Sequence, residues 1–465
     1  MPKIFISLFL LMTLTACSSS GLFSSYHQTM KPVRISQNQG DFSTALTYIP
    51  TPDPGQNNYA LNLLELGRLN ALAFQYKASQ KNYVEAISDV QYQQEQAKIQ
   101  VSRGFQKAAS LVSNDNSISY VVPAYEQSML YSYQALNYLK LQGIESALVE
   151  VRRANLVQQR ALATNQDAIY KAQKNMEGNG LNSNTFNSKY PSMQNSIGEV
   201  KNGFQNAYTF YLSGLLYEAG GQPNDAYIDY KKALEIFPQN TFLQQDVLRL
   251  ASKLGMSDDL AKFSQQFGTV KAFNKDNGEL VVLFEQGIVA NKHDVSMSLP
   301  IYTSHRDVRF YSFSLPVYPN NLPVIRPLTL NYDGNSIQSQ EIVRIQSLAS
   351  KQLKDDMPSI VTRQILRLIA KEQVRKTASK EGGDVGNILA TIYNIVSERA
   401  DTRSWSTLPD SIHILRVSLP PGAQQIELQL PGRKISMEVP INAKRITLLN
   451  LNGQDKTRNG ELINL

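Results

Sequence analysis

One thiol, Cys17, and four histidines, His27, His293, His305 and His413, limit the chemistry open to this chain. A single cysteine forms no internal disulfide and builds no cysteine-based zinc or iron–sulfur centre. The histidines are scattered, so no His-rich metal site is expected, and no cofactor. His27 lies near the N-terminus, which leaves His293, His305 and His413 as candidate bases for a Ser-His-Asp arrangement, whose members are set by space rather than sequence order. The motifs G-x-S-x-G, H-E-x-x-H and G-x-x-x-x-G-K-[ST] do not occur. Asp258-Asp259 and Asp355-Asp356 are adjacent carboxylate pairs, to be tested against the paired carboxylates of a cell-wall glycosidase. Neighbours on a helix point about 100° apart, so these pairs do not face each other across a bond. Both are expected just ahead of helical segments, where acidic residues complement the N-terminal dipole. No catalytic residue is assigned.

Two further sets suit binding. Arg363, Arg367, Lys371 and Arg375 recur every four residues along a helix expected over 357–377. Like charges at that spacing repel by a few tenths of a kcal/mol per pair. The stripe is a candidate contact for an acidic partner or an anionic envelope polymer, and a solvated helix face is the simpler account. Trp405 is the sole tryptophan, in DTRSWSTLP. With Arg403 it has the composition of a partner or glycan anchor; the plainer reading is a large core residue beneath a loop.

The first seventeen residues are MPKIFISLFLLMTLTAC. Lys3 supplies a positive start and Ile4 to Leu14 an apolar run of signal-peptide length, too short to span a membrane. Leu14-Thr15-Ala16-Cys17 then resembles the lipobox of bacterial lipoproteins. That resemblance implies cleavage before Cys17, acylation of its thiol and new amine, and anchoring by several acyl chains, as stable attachment requires. Ser18, rather than Asp, implies transfer to the outer membrane of a Gram-negative cell, with the body in the periplasm. Residues 1–16 are thus expected to be a signal peptide and 17–57, rich in Ser, Gly and Pro, a lipid-anchored tether with little regular structure.

Beyond the tether, 58–268 has helical periodicity. The stretch AYTFYLSGLLYEAGGQPNDAYIDYKKALEIFPQN, Ala207 to Asn240, resembles a tetratricopeptide repeat, the 34-residue helix–turn–helix unit. Phe210, Gly214 and Tyr217 take the bulky, small and aromatic positions of its first helix. Ala226, Tyr230 and Ala233 take the small, aromatic and small positions of its second, and Pro238 closes it. Ser213 departs from the usual Leu. Gly214 and Ala226 would let the helices approach to ~8–10 Å. A second unit is expected over Ala124 to Gln158 and a weaker third near Gly67 to Ala86, with additional helices, because one repeat cannot bury its own apolar face. Such repeats dock peptides and proteins along their first helices, which makes Tyr131, Tyr208 and Tyr211 candidate groove residues. A polar stretch at 175–202 is expected to be a loop.

From 271 to 465 the pattern changes to strands (ELVVLF, VRFYSFSLPVY), then helices over 341–380 and 385–400, then strands separated by PPG, PG and INAK turns. The fold class expected is mainly α with α+β: a tetratricopeptide-like helical array followed by a mixed domain ending in an antiparallel meander. GELVVLFEQG, MPSIVTRQILR and ADTRSWSTLPDSIHILRVSLPPG make the whole similar to a group of bacterial lipoproteins with a repeat half and an α+β half. That likeness implies no particular activity. The composition is that of a folded protein, 42% hydrophobic and 18% charged, with net charge +7. Such a charge permits contact with anionic envelope material and does not require it. Nucleic acid is not an expected partner. The sequence points to a non-enzymatic, outer-membrane-anchored periplasmic scaffold that binds protein partners, with an envelope-polymer enzyme or glycan-binding protein as the alternative.

Overall fold

In the computed structural model, the residues described are 26–102, 118–270, 274, 276–302, 308–370, 399–456 and 460–465. Cys17, His305, Lys371, Arg375 and the helix expected over 385–400, apart from its last two residues, lie outside them. Helix starts earlier than the composition of the tether suggests. α1 (Tyr26–Gln39) and α2 (Phe42–Thr47) bury Met30, Val33, Phe42 and Ala45 against Leu69 and Leu72. The expected tether is therefore folded from Tyr26 onward. Its polar composition conceals a short apolar face that finds a partner only in the tertiary structure.

Four helix pairs follow: α3 (Tyr59–Leu72) with α4 (Tyr76–Ser102), α5 (Ala124–Leu141) with α6 (Ile144–Gly178), α9 (Ala207–Ala219) with α10 (Pro223–Ile236), and α11 (Thr241–Lys253) with α12 (Ser257–Phe267). Between the second and third pairs come the short α7 (Ser183–Lys189) and α8 (Gln194–Ile197). The stretch 175–202 is thus a folded insertion rather than a loop, pinned by buried Met176, Phe186, Met193 and Ile197. Those four apolar residues follow no single helical period, so the sequence pattern did not reveal them.

The repeat residues pack as their types demand. A Cβ on Gly214 would lie 2.7 Å from the Tyr230 ring, and one on Gly67 2.3 Å from the Tyr83 ring. Gly67–Tyr83–Ala86 thus repeats the spacing and contact of Gly214–Tyr230–Ala233. Phe210, Tyr217, Ala226 and Ala233 are buried. Asn206 caps α9 by accepting from the Tyr208 and Thr209 amides, and Pro223 opens α10. Ser213 has a partner: its hydroxyl donates to Asp229 at 2.6 Å and accepts from Asn155 at 3.0 Å. This buried network links α6, α9 and α10 where other repeats place a leucine.

The C-terminal half is built on a five-stranded sheet in the order β11 (Glu461–Asn464), β10 (Ile446–Asn452), β1 (Gly278–Gln286), β7 (Ser411–Leu419), β6 (Gln340–Arg344). A second sheet runs β5 (Asn335–Gln338), β4 (Thr329–Tyr332), β8 (Gly422–Leu430), β9 (Arg433–Ile441), and β2 (His293–Tyr302) and β3 (Val308–Val317) form a separate hairpin. The expected meander is corrected by this order: β7 and β8 lie in different sheets, and β10 pairs parallel with β1. Strand β1 shows why ELVVLF is an unbroken apolar run. Val281 and Leu283 face the helical array, while Leu280, Val282 and Phe284 face the second sheet. Helix α13, described over 345–370, follows β6 directly and packs Leu348, Leu353, Met357, Val361 and Ile365 into the core shared with the array.

Gly214→Ala should cost ~1–3 kcal/mol despite the higher helix propensity of alanine, because the Tyr230 ring must move. The midpoint of urea unfolding measures it; a neutral or stabilising effect would contradict the close approach.

Candidate partner-binding surfaces

The first helices of the pairs would line a docking groove, and in this chain that face is already covered. The segment Arg403–Thr407 lies against it. Glu65 on α3 accepts from the Ser406 amide at 2.7 Å and hydroxyl at 2.8 Å, and from the Thr407 amide at 3.0 Å and hydroxyl at 2.5 Å. Tyr26 on α1 adds its hydroxyl at 2.8 Å. Burial pushes the Glu65 carboxyl above its ordinary value, while the bonds from Thr407, Ser406 and Tyr26 pull it back. Glu126 on α5 is arranged alike, accepting from the Trp405 amide at 2.9 Å and from Tyr120 and Tyr125.

Trp405 is fully buried, its ring edge-on to Tyr83 and Tyr133 with centroids 6.0 Å apart in each case. It is a core residue and not an exposed anchor. Arg403 is equally committed. It pairs with Asp401 at 2.8 Å and donates to the Ile118 and Asn57 carbonyls and the Asn58 side chain. Helix α1 closes the far side, where Arg34 and Gln37 donate to the Ser406 and Thr407 carbonyls. Deeper in, Glu285 of β1 pairs with Arg68 and accepts from Tyr133 at 2.9 Å.

The candidate groove tyrosines are correspondingly enclosed. Tyr208 and Tyr211 are buried between the array and the sheet domain, and Tyr131 is buried within the array. None is open to a partner. A second seam lies at the other end of the array. Arg416 of β7 bonds Glu218 at the end of α9 at 3.0 Å, Asp246 of α11 at 3.1 Å and Glu279 of β1 at 2.6 Å. Burial alone would raise the Glu218 carboxyl, but Arg416 and Arg249 hold it well below its usual range.

The basic stripe on α13 is not continuous. Arg363 is exposed, whereas Arg367 is almost wholly buried, because this side of α13 lies over the β2–β3 hairpin, with Gln364 donating to the Ser314 carbonyl. Asp355 and Asp356 do not cap a helix. They sit a full ten residues into α13, where Asp355 pairs with Lys351 at 2.5 Å and Asp356 accepts from Gln352. Asp258 and Asp259 do occupy the first turn of α12. His293 stands edge-on to His27, with ring centroids 5.3 Å apart. His413 is buried, and its Nε2 lies 3.5 Å from the Ser411 hydroxyl, but its Nδ1 has no partner, so no carboxylate orients the ring. These two histidines form no triad. Among the described residues, no group of three or more His, Cys, Asp or Glu is placed to hold a metal ion.

What the array leaves open is its outer face. Arg152, Leu156, Tyr217, Ile228 and Lys232 line a groove of about 330 Å³ between α6 and α10. Leu156 and Ile228 are 42% and 49% exposed on it, and Arg152 lies over the Tyr217 ring. Sequence reading overlooked Glu65, Arg68, Glu126, Glu285 and Arg416. The signal was present for two of them: YALNLLELGRLNAL is apolar enough to be buried on every side, so its Glu65 and Arg68 had to be paired inside.

No family model and no curated protein matches this chain. Among solved structures it is similar to MamA, at 12% identity and a TM-score of 0.29, over 51% of this chain and 93% of that one. The MamA of AMB-1 stands at 12% identity and 0.27, over 52% and 88%. Likeness at this level carries no argument about function.

Glu65→Gln places an amide NH2 among donors and should lower stability by roughly 2–3 kcal/mol, while Glu95→Gln on the exposed side of α4 should stay within about 0.5 kcal/mol. Equal urea midpoints for the two variants would refute the assigned role. His413 is held neutral, at about 4, chiefly by burial and secondarily by Arg344. The unfolded chain therefore binds the extra proton first, and native stability falls as pH drops from about 6.5 to 4. Against His413→Gln, the native chain should lose up to ~3 kcal/mol more over that window. A difference between the two that does not change with pH would refute this.

Proposed function

We propose that the protein is a non-enzymatic interaction scaffold, anchored through lipidated Cys17 to the outer membrane with its body in the periplasm, and that it receives protein partners on the outer face of its helical array. The observation that carries this reading is the groove between α6 and α10. It presents Leu156 and Ile228 to solvent in a concave site, whereas the first-helix face is occupied by the chain's own 403–407 segment. Leu156 and Ile228 set among Arg152, Asn155, Gln159, Asp225 and Lys232 have the mixed make-up of a protein contact. Work in envelope assembly fits the lipobox and the repeats. An anionic polymer as ligand of α13 is not carried forward, since Arg367 is enclosed. The enzyme reading has no assembled site among the described residues to support it.

Anchoring would also set a distance. Eight residues separate Cys17 from Tyr26, which span at most about 30 Å. The folded body would therefore stay close to the bilayer.

The test places a photo-crosslinking amino acid at Ile228 and, as control, at exposed Lys434 on the sheet domain, in cells making the native chain or Cys17→Ser. Adducts specific to position 228 in the membrane fraction, lost on Leu156→Glu, and release of Cys17→Ser to the soluble fraction are expected. Identical adducts at both positions, or none at 228, would overturn the outer-face assignment. Membrane retention of Cys17→Ser would overturn the anchor.

A further inference from the structure

The β2–β3 hairpin has two outer edges, and the chain treats them differently. Its register pairs Tyr302 with Val308, Pro300 with Phe310 and Ser298 with Ser312. In an antiparallel pair, alternate residues turn their backbone groups outward. Here they are the even-numbered ones. The Tyr302 amide donates outward to the Gly180 carbonyl, the Ser314 carbonyl accepts from Gln364, and the Pro316 carbonyl accepts from Tyr190. Pro300 and Pro316 stand at even positions too, where a missing N–H costs no ladder bond.

On β2, Pro300 and the Gly180 contact close the outward positions nearest the turn, and the outward positions Asp294, Ser296 and Ser298 carry exposed polar side chains rather than apolar ones. On β3 the outward groups of Ser314 and Pro316 are taken. Those of Val308, Phe310 and Ser312 have no partner among the described residues. These residues also share one face, on which Phe310 is 67% and Val308 45% exposed, next to Tyr302. The other sheet edges are protected: β5, β6 and β11 are four or five residues long, and β9 carries exposed Lys434, Glu438 and Pro440.

We infer that the β3 edge pairs antiparallel with the β3 edge of a second copy of this chain, on a twofold axis through Phe310. The occupant follows from the symmetry of the open groups. An axis at Phe310 sets 310 opposite 310 and 308 opposite 312, so each unpartnered N–H meets a carbonyl of the other copy and none is left over. The result is a four-stranded sheet in place of a two-stranded ribbon, which is marginal alone. Both Phe310 rings come together on its open face, flanked by Val308 and Ser312. The contact is short and belongs with weak interfaces, strengthened where anchored copies share a surface.

Sedimentation of the full chain with Cys17→Ser, from about 5 to 200 μM, tests this. A concentration-dependent monomer–dimer equilibrium is expected. Phe310→Lys and Phe310→Asp, at an exposed position that leaves folding intact, should each be monomeric throughout, because the axis sets like charges face to face. Mixing the two variants should restore the dimer. A native chain that stays monomeric overturns the inference, even if that edge captures an extended segment of another protein. A dimer that survives Phe310→Lys overturns it as well, since its contact then lies elsewhere.

Discussion

The carboxylate of Glu65 receives hydrogen bonds from a stretch of chain some 340 residues away, and the relation of the two halves depends on that reception. Ser406 and Thr407 present two successive backbone amides and both hydroxyls to one side chain. A buried carboxylate accepts all of them; a neutral side chain of the same shape does not. The bonds fix where the loop before β7 runs, and therefore where Trp405 enters between Tyr83 and Tyr133. They also bring α1 into place through Tyr26. Glu126, in the second helix pair, repeats the arrangement for the Trp405 amide. The first-helix face of the array thus receives a segment of its own chain.

That arrangement explains why the two halves share a core. Val281 and Leu283 of β1, Ile412 and Ile414 of β7, and Trp405 belong to the same apolar cluster as the repeat tyrosines. Polar ties bracket this cluster, with Arg68 and Glu285 near one end and Arg416 with Glu218, Asp246 and Glu279 near the other. Breaking one member of such a set leaves uncompensated charge inside, which costs several kcal/mol. The ties thus act as registry pins, since slippage of the sheet along the array would separate every pair at once.

Much of the architecture was legible in the residues. Gly214, Tyr230 and Ala233 announced the repeat because close helix approach requires a small residue opposite a ring, and the same spacing at Gly67, Tyr83 and Ala86 proved to be the same contact. The passage from helices to strands was visible as a change of period. Other features were not. The sheet order depends on pairings between residues far apart, so β10 beside β1 cannot be read from PPG or INAK turns. The helices of 26–47 and 183–197 are short and polar, and their few apolar residues acquire meaning only when a neighbour is present. Four of the binding candidates are buried for one shared reason. Tyr208, Tyr211, Arg367 and Trp405 were chosen as residue types that recognise partners, and large amphipathic side chains are equally suited to seal an internal seam.

The burial of Trp405 has a spectroscopic consequence. Being the only indole in the chain, and sitting where the loop meets both helix pairs, it makes intrinsic fluorescence a single-site reporter on the junction of the two halves rather than an average over the molecule. Opening of the seam would hydrate the ring and shift its emission to the red, even while helix and strand content, as seen by circular dichroism, stayed the same. The two signals together separate parting of the halves from unfolding of either one.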